Sequence, residues 1–362
     1  MSKLSQNGFA RTLLICFGVV LYLCACSKPS FELNNEISQW PFARKNIAGN
    51  TAIQNASFDG KLDIVWERGI GEHPQGPLTL SRGALLYAGS KKRVFLIDPS
   101  SGNTIKKIKG KSPPQTGGVI IDSLFYRASA PPYNRVECIR VVDWKRVWRG
   151  LIFDISAPLV FKDEKMFLCG GDGIFYCLNR FSGDLIWEYE TNSKLSSAPV
   201  ISVSDTGAGG IVILAANDGN LISLNYETGE HRKTIWIDTA ILASPVVDVE
   251  GGYVYLSTYS GLCKRISLDE LTGLASAPDS SVVLVDSAAS HDAIDYKMDY
   301  RMVAGSWSSP VVGGGRVVFC DIAGGVYAFD EASLDAPLWK ANLGGTLISS
   351  PIIVGEMVIL GT

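Results

Sequence analysis

The stretch Cys177-Leu178-Asn179-Arg180-Phe181-Ser182-Gly183-Asp184-Leu185-Ile186-Trp187 decides the fold. A β-rich run ends at Asn179, a Ser-Gly turn reverses the chain, and a second run closes on a tryptophan. The same Asx-x-x-Ser/Thr-Gly element recurs at 98–102, 225–229 and 269–273. Tryptophans close most units, at Trp66, Trp148, Trp187, Trp236 and Trp339.

Working outward, each unit opens on a small residue, a proline and two aliphatic residues. The prolines are Pro77, Pro158, Pro199, Pro245, Pro310 and Pro351, and Gly118 stands where a further one would fall. The steps from Pro158 onward are 41, 46, 65 and 41 residues, so one unit carries an insertion. Between signature and turn lies a hairpin, for example Ile211–Ala215, Asn217-Asp218-Gly219 and Leu221–Asn225. Short β-rich runs broken by Gly/Asp turns are hairpins, and four strands every forty-odd residues make a propeller blade. One blade cannot bury both faces, so blades must stack around an axis. The fold class is therefore all-β, a propeller of about seven four-stranded blades (eight on a looser count) with the last incomplete. Leu62–Arg68, carrying Trp66, is expected to supply the outer strand of that last blade.

The 177–187 motif resembles the docking motif of pyrroloquinoline-quinone-type propeller repeats. The similarity extends over about residues 62–362, with Trp40-Pro41-Phe42 resembling the lead-in of such propellers. The resemblance implies that each tryptophan packs across the gap to the neighbouring blade, using its large apolar area and one N–H donor. Unit one carries Lys106 in the tryptophan's place, so docking is expected to be weaker there.

At the N-terminus, Lys3 and Arg11 precede an apolar run from Leu13 to Leu23, too short to span a bilayer as a helix. This order reads as a secretory signal peptide, 1–25. It ends in Leu23-Cys24-Ala25-Cys26, which resembles a bacterial lipobox and implies acylation of Cys26. Ser27, by the same resemblance, implies sorting to the outer membrane, with the chain facing the periplasm. Residues 26–61 form a linker and lead-in, and 62–362 the propeller. Export permits disulfides, but the five cysteines beyond Cys26 are an odd number. Cys169 and Cys320 fall where other units carry small strand residues, so no disulfide framework is expected.

The net charge of −3 gives no overall basic footprint for nucleic acid. Three scattered histidines argue against a zinc site. Quinoproteins of this repeat family hold a quinone and Ca²⁺ at the propeller mouth, and the resemblance alone does not confer either. The strand-entry positions here read Gln75-Gly76, Thr116-Gly117, Ser156-Ala157, Ser197-Ala198, Ala243-Ser244, Ser308-Ser309 and Ser349-Ser350. That ring is small and uncharged, so neither cofactor, metal nor catalytic residue is assigned.

Two departures from the repeat remain. Ala128–Arg135 replaces a tight turn with a Pro-Tyr-Arg loop, and Tyr133 and Arg135 are interface-favoured residue types. Leu274–Tyr300 is an insertion with five aspartates, either an acidic docking element or a plain insertion. The expectation is a non-enzymatic monomeric scaffold, lipid-anchored through Cys26 and binding a protein partner. It resembles the propeller lipoproteins of the outer-membrane barrel-assembly machinery, which implies a barrel-assembly subunit as that partner. The alternative is a quinoprotein-like ligand-binding or dehydrogenase domain.

Overall fold

The computed structural model describes residues 46, 48–53, 63–152, 154–203, 210–273 and 299–361. Cys26, Trp40 and residues 274–298 of the insertion lie outside them. Six four-stranded antiparallel sheets follow one another along the chain, each running in simple order from its first strand to its fourth. They are blade one, β1–β4 (Thr79–Ser81, Ala84–Gly89, Arg93–Ile97, Thr104–Lys109), and blade two, β5–β8 (Val119–Ile121, Leu124–Ser129, Arg135–Arg140, Lys145–Leu151). Blade three is β9–β12 (Val160–Lys162, Lys165–Cys169, Ile174–Asn179, Leu185–Glu190). Blade four is β13–β16 (Val200–Ser202, Ile211–Ala215, Asn220–Asn225, His231–Trp236). Blade five is β17–β20 (Val246–Asp248, Tyr253–Ser257, Leu262–Ser267, Tyr300–Arg301). Blade six is β21–β24 (Val311–Gly313, Arg316–Cys320, Gly325–Asp330, Trp339–Asn342). A seventh sheet has two strands, β25 (Ile352–Val354) and β26 (Met357–Ile359).

The core sits between blades. One buried cluster joins Phe167, Phe175, Cys177 and Trp187 of blade three to Val212, Leu214 and Leu224 of blade four. Five similar clusters fill the other seams from blade one to blade seven. Strands that are apolar on both faces are what a sheet covered on both sides requires. The five cysteines from Cys138 to Cys320 are all buried and unpaired.

One expectation changes. Residues 63–70 form no strand, although Trp66 still docks: its Nε1 donates to Pro99 O at 2.7 Å. No neighbouring strand lies beside it among the described residues, so the backbone has no ladder to join. The lead-in, meanwhile, is engaged with the propeller. Ala48 O accepts from Val247 N at 2.8 Å, Thr51 Oγ1 donates to Pro351 O at 2.8 Å, and Ile53 N to Ile353 O at 2.8 Å. Residues 48–53 thus run along the inner strands of blades five, six and seven.

Candidate functional site: the mouth face

In a sheet of four antiparallel strands, the turn between strands two and three and the connection between blades emerge on one face. Backbone bonds tie them there: Gln75 N to Ala88 O, Gln115 N to Ala128 O and Ser156 N to Cys169 O, at 2.9, 3.0 and 3.0 Å. This mouth face surrounds the channel opening.

On blades four to seven the small residues at the strand entries form a hydrogen-bonded belt. Ala198 N donates to Ser244 Oγ at 2.9 Å, Ser244 N to Ser309 Oγ at 2.9 Å, and Ser309 N to Ser350 Oγ at 3.1 Å. A second row adds Ser308 Oγ to Ser349 O at 2.9 Å and Ser197 Oγ to Ala215 O at 3.0 Å. A hydroxyl already engaged in this way gives up a bond if it turns toward a ligand. Among the described residues, no three His, Cys, Asp or Glu side chains are grouped to hold a metal ion. The belt offers no carboxylate oxygens for Ca²⁺ and no cation for a polyanionic quinone. The donor set does not fit a quinoprotein centre.

The buried carboxylate of Asp321 has a structural part. Asp321 accepts from Ala323 N, Gly325 N and Tyr327 Oη, each at 2.8 to 2.9 Å, and so closes the turn of blade six. Burial pushes the thiols of Cys138, Cys177 and Cys320 up to about 11, 12 and 12. Thiols held protonated in this way are poor nucleophiles.

The Pro-Tyr-Arg loop is shorter than the sequence suggested. Ala128 and Ser129 end β6 and Arg135 begins β7, leaving Ala130–Asn134 as the loop. Ala130 N donates to Pro113 O at 2.9 Å, anchoring it. Tyr133 is 37% exposed, with the Arg135 guanidinium 5.0 Å and Lys111 Nζ 5.9 Å from its ring centre. Lys111 is thus beside the loop. Glu72 belongs to blade one, accepting from Lys91 N at 2.9 Å and pairing with Arg93.

Across the ring, Tyr259 and Trp307 stack with ring centres 6.5 Å apart and planes 25° from parallel, both half exposed. Sequence reasoning missed them. The available signal was Trp307, three residues before Pro310, where a buried or polar residue stands in blades three and four. Ile348 holds the same place before Pro351 and is also exposed.

The tryptophans divide. Trp148 Nε1 donates to Arg180 O at 2.8 Å, and its ring covers Gly183, where a Cβ would lie 2.7 Å from the indole. Trp187 covers Gly229 and Trp66 covers Gly102 in the same way. Trp339 packs against the cluster shared by blades six and seven. Trp236 departs from the expected docking role. Trp187 pairs with Cys177 on its sheet, whereas the matching residue, Ser223, pairs with Lys233; Trp236 falls three residues later and is 49% exposed. The blade it would meet has also changed, since 269–273 forms the short helix α1 (Leu268–Thr272), capped by Ser267.

Comparison with known proteins follows this geometry. Residues 134–237 match the family model described as outer membrane protein assembly factor BamB. The propeller superposes on BamB from Moraxella catarrhalis with a TM-score of 0.64 and 13% identity, covering 85% of this chain and 87% of that one. It also superposes on the quinohemoprotein alcohol dehydrogenase from Comamonas testosteroni, with a TM-score of 0.68 and 10% identity over 95% and 74%. A europium-containing methanol dehydrogenase gives 0.60 and 12% over 89% and 88%. Over 94 residues the chain is 31% identical to the beta-alanine-activating enzyme of Danio rerio, which is 25% of this chain and 8% of that protein. These likenesses establish a BamB-like repeat domain on a propeller fold, one shared by assembly factors and quinoprotein dehydrogenases.

Proposed function

We propose that this chain, a propeller carrying a BamB-like repeat domain, is a non-enzymatic scaffold that binds a protein partner through its mouth face. The observation that carries the reading is the division of labour there. On blades four to seven the polar groups around the channel are bonded to one another, while Tyr133, Tyr259 and Trp307 are presented to solvent. Aromatic side chains on a rigid scaffold are efficient anchors, because little freedom is lost when they are covered. The partner is a subunit that assembles outer-membrane proteins. The propeller is held at the periplasmic side of that membrane by lipid on Cys26, after removal of residues 1–25. Several acyl chains on one residue anchor firmly, whereas a single chain does not.

Tagged protein is solubilised from membranes and its copurifying partners identified, alongside the variants Tyr133→Ala/Arg135→Ala and Tyr259→Ala/Trp307→Ala. Loss of the same partner in either variant, with the melting temperature kept, supports the reading. Unchanged partners in both would remove the mouth face as the interface. Cys26 is tested by metabolic labelling with a fatty acid, where Cys26→Ser must abolish the label.

The dehydrogenase likeness favours a second reading, a quinone-binding domain. Titration of purified protein with pyrroloquinoline quinone and Ca²⁺ separates the two, and a stoichiometric Ca²⁺-dependent complex would establish the second.

A further inference from the structure

The near-neutral total conceals a strong polarity of charge. Residues 91–149 carry thirteen Lys and Arg against four Asp and Glu, whereas residues 150–362 carry twelve against twenty-six. The first span is blades one and two without the opening strands of blade one. Its fourth strands turn Lys107 and Lys109 of β4 and Lys145 and Arg149 of β8 outward, while Lys92 and Lys111 lie on the adjoining mouth face. The two strands share one rim, because Lys106 of β4 reaches Trp144 beside β8. Among the described residues, none of those six cations has a carboxylate within ion-pair distance.

Two pairs of like charge stand directly opposite each other, Arg93 with Lys109 and Arg140 with Lys145. Each arginine is paired with a carboxylate, Arg93 with Glu72 and Arg140 with Asp143, so the lysines are the members left without one. Lysines on outer strands also discourage edge-to-edge pairing, but edge protection does not call for the exposed aliphatic side chains that stand among them. Exposed aliphatic side chains are interleaved with the cations: Val142, Val147 and Leu151 are 81%, 47% and 70% exposed.

We propose that the outer rim of blades one and two is a contact surface for an anionic lipid bilayer. The surface is an open rim spread over two blades, and its unpaired cations are mostly lysines, point charges without the fork that recognises one carboxylate. Diffuse positive charge with intervening aliphatic groups suits a layer of phosphate headgroups, where each nearby cation adds attraction and the apolar groups add burial. The acidic remainder of the ring is repelled by the same layer. The propeller is thereby oriented edge-on, and its mouth face stays open to a partner.

The test is vesicle sedimentation with the processed chain, residues 26–362 carrying Cys26→Ser, which retains every described residue. Vesicles of phosphatidylcholine alone are compared with vesicles that also contain phosphatidylglycerol, at low and high salt. Binding to the anionic vesicles that high salt releases is expected. Lys107→Glu/Lys109→Glu/Lys145→Glu/Arg149→Glu must weaken it by at least about tenfold. The four-fold Gln variant must weaken it in the same direction, and Arg232→Glu/Lys233→Glu on blade four must leave it unchanged. Each variant is checked by its melting temperature. Equal binding to both vesicle types, or equal binding by wild type and the Gln variant, overturns the proposal. So does displacement by inorganic phosphate beyond the effect of chloride at equal ionic strength, which would mean a discrete anion site. Capture by polyglutamate or duplex DNA, lost in the same variants while anionic vesicles are ignored, overturns it in favour of another polyanion.

Discussion

Lys106 and Trp144 exchange the parts that Trp148 and Gly183 play one seam further round the ring. Register makes the equivalence plain: Cys138 pairs with Trp148 as Cys177 pairs with Trp187, which sets Trp144 at the place of Gly183. Trp144 even keeps the glycine's left-handed backbone, with φ of 56° against 80°. The indole therefore comes from the turn and the partner from the strand, with Lys106 Nζ 4.7 Å from the Trp144 ring centre. A cation–π contact replaces the indole-on-glycine contact at this seam.

Lys106→Trp should destabilise the fold, because a second indole meets Trp144. Trp144→Gly should also destabilise it, by removing the ring. The double variant restores the tryptophan-on-glycine arrangement and should be more stable than the sum of the single losses by about 1 kcal/mol or more. Denaturant titration of the four proteins measures the coupling, and strict additivity would sink the proposed exchange.

Trp187→Ala should cost about 3–5 kcal/mol, since the ring is buried against Phe167, Phe175 and Gly229. Trp236→Ala should cost no more than about 1 kcal/mol, as a half-exposed ring loses less on truncation. Thermal melts of the two variants are the check, and equal shifts would contradict the register assignment.

Ser309→Ala removes the acceptor of the buried Ser244 N–H without changing the channel's size. An orphaned buried donor costs about 1–3 kcal/mol. Ser309→Thr keeps the hydroxyl and should recover part of that loss. Chemical denaturation reads both, and a neutral alanine variant would mean that the belt is not a stabilising element.

Burial holds the thiols of Cys138, Cys177 and Cys320 near 11 to 12, above their ordinary value of 9.0. The stability this represents is complete below the unfolded value and is lost as pH rises through the folded one. The native protein should therefore lose stability between about pH 9 and pH 12. At neutral pH its strand cysteines should resist a thiol reagent until denaturant is added. Prompt labelling of these residues in the native protein would contradict their burial.

The repeat was legible because blades impose it. A proline at strand entry, a turn glycine with positive φ and an indole over it are each tied to one place in the blade, so spacing alone exposes them. Trp236 shows where that reading fails. A tryptophan was counted by its presence near the end of a unit, but docking depends on the distance from the turn glycine: Gly183 to Trp187 is four residues, and Gly229 to Trp236 seven. The mouth face was half legible. Tyr133 and Arg135 stood out as a departure from the repeat, whereas Tyr259 and Trp307 meet only because blades five and six bring two separate loops together. The charge polarity was present in the sequence throughout and was hidden by averaging over the whole chain.

The contacts of residues 48–53 bear on the order of events in folding. Thr51 bonds to Pro351, three hundred residues away. Contacts of such separation form late, because the entropy of closing the loop must be met first. Early blades can stack as the chain emerges, but the inner edges of blades five to seven stay uncovered until the last of them arrives. A chain made from the N-terminus onward therefore holds an unfastened clasp for most of its synthesis. The late-closing step is the interval in which a chaperone would find exposed strand edges to protect.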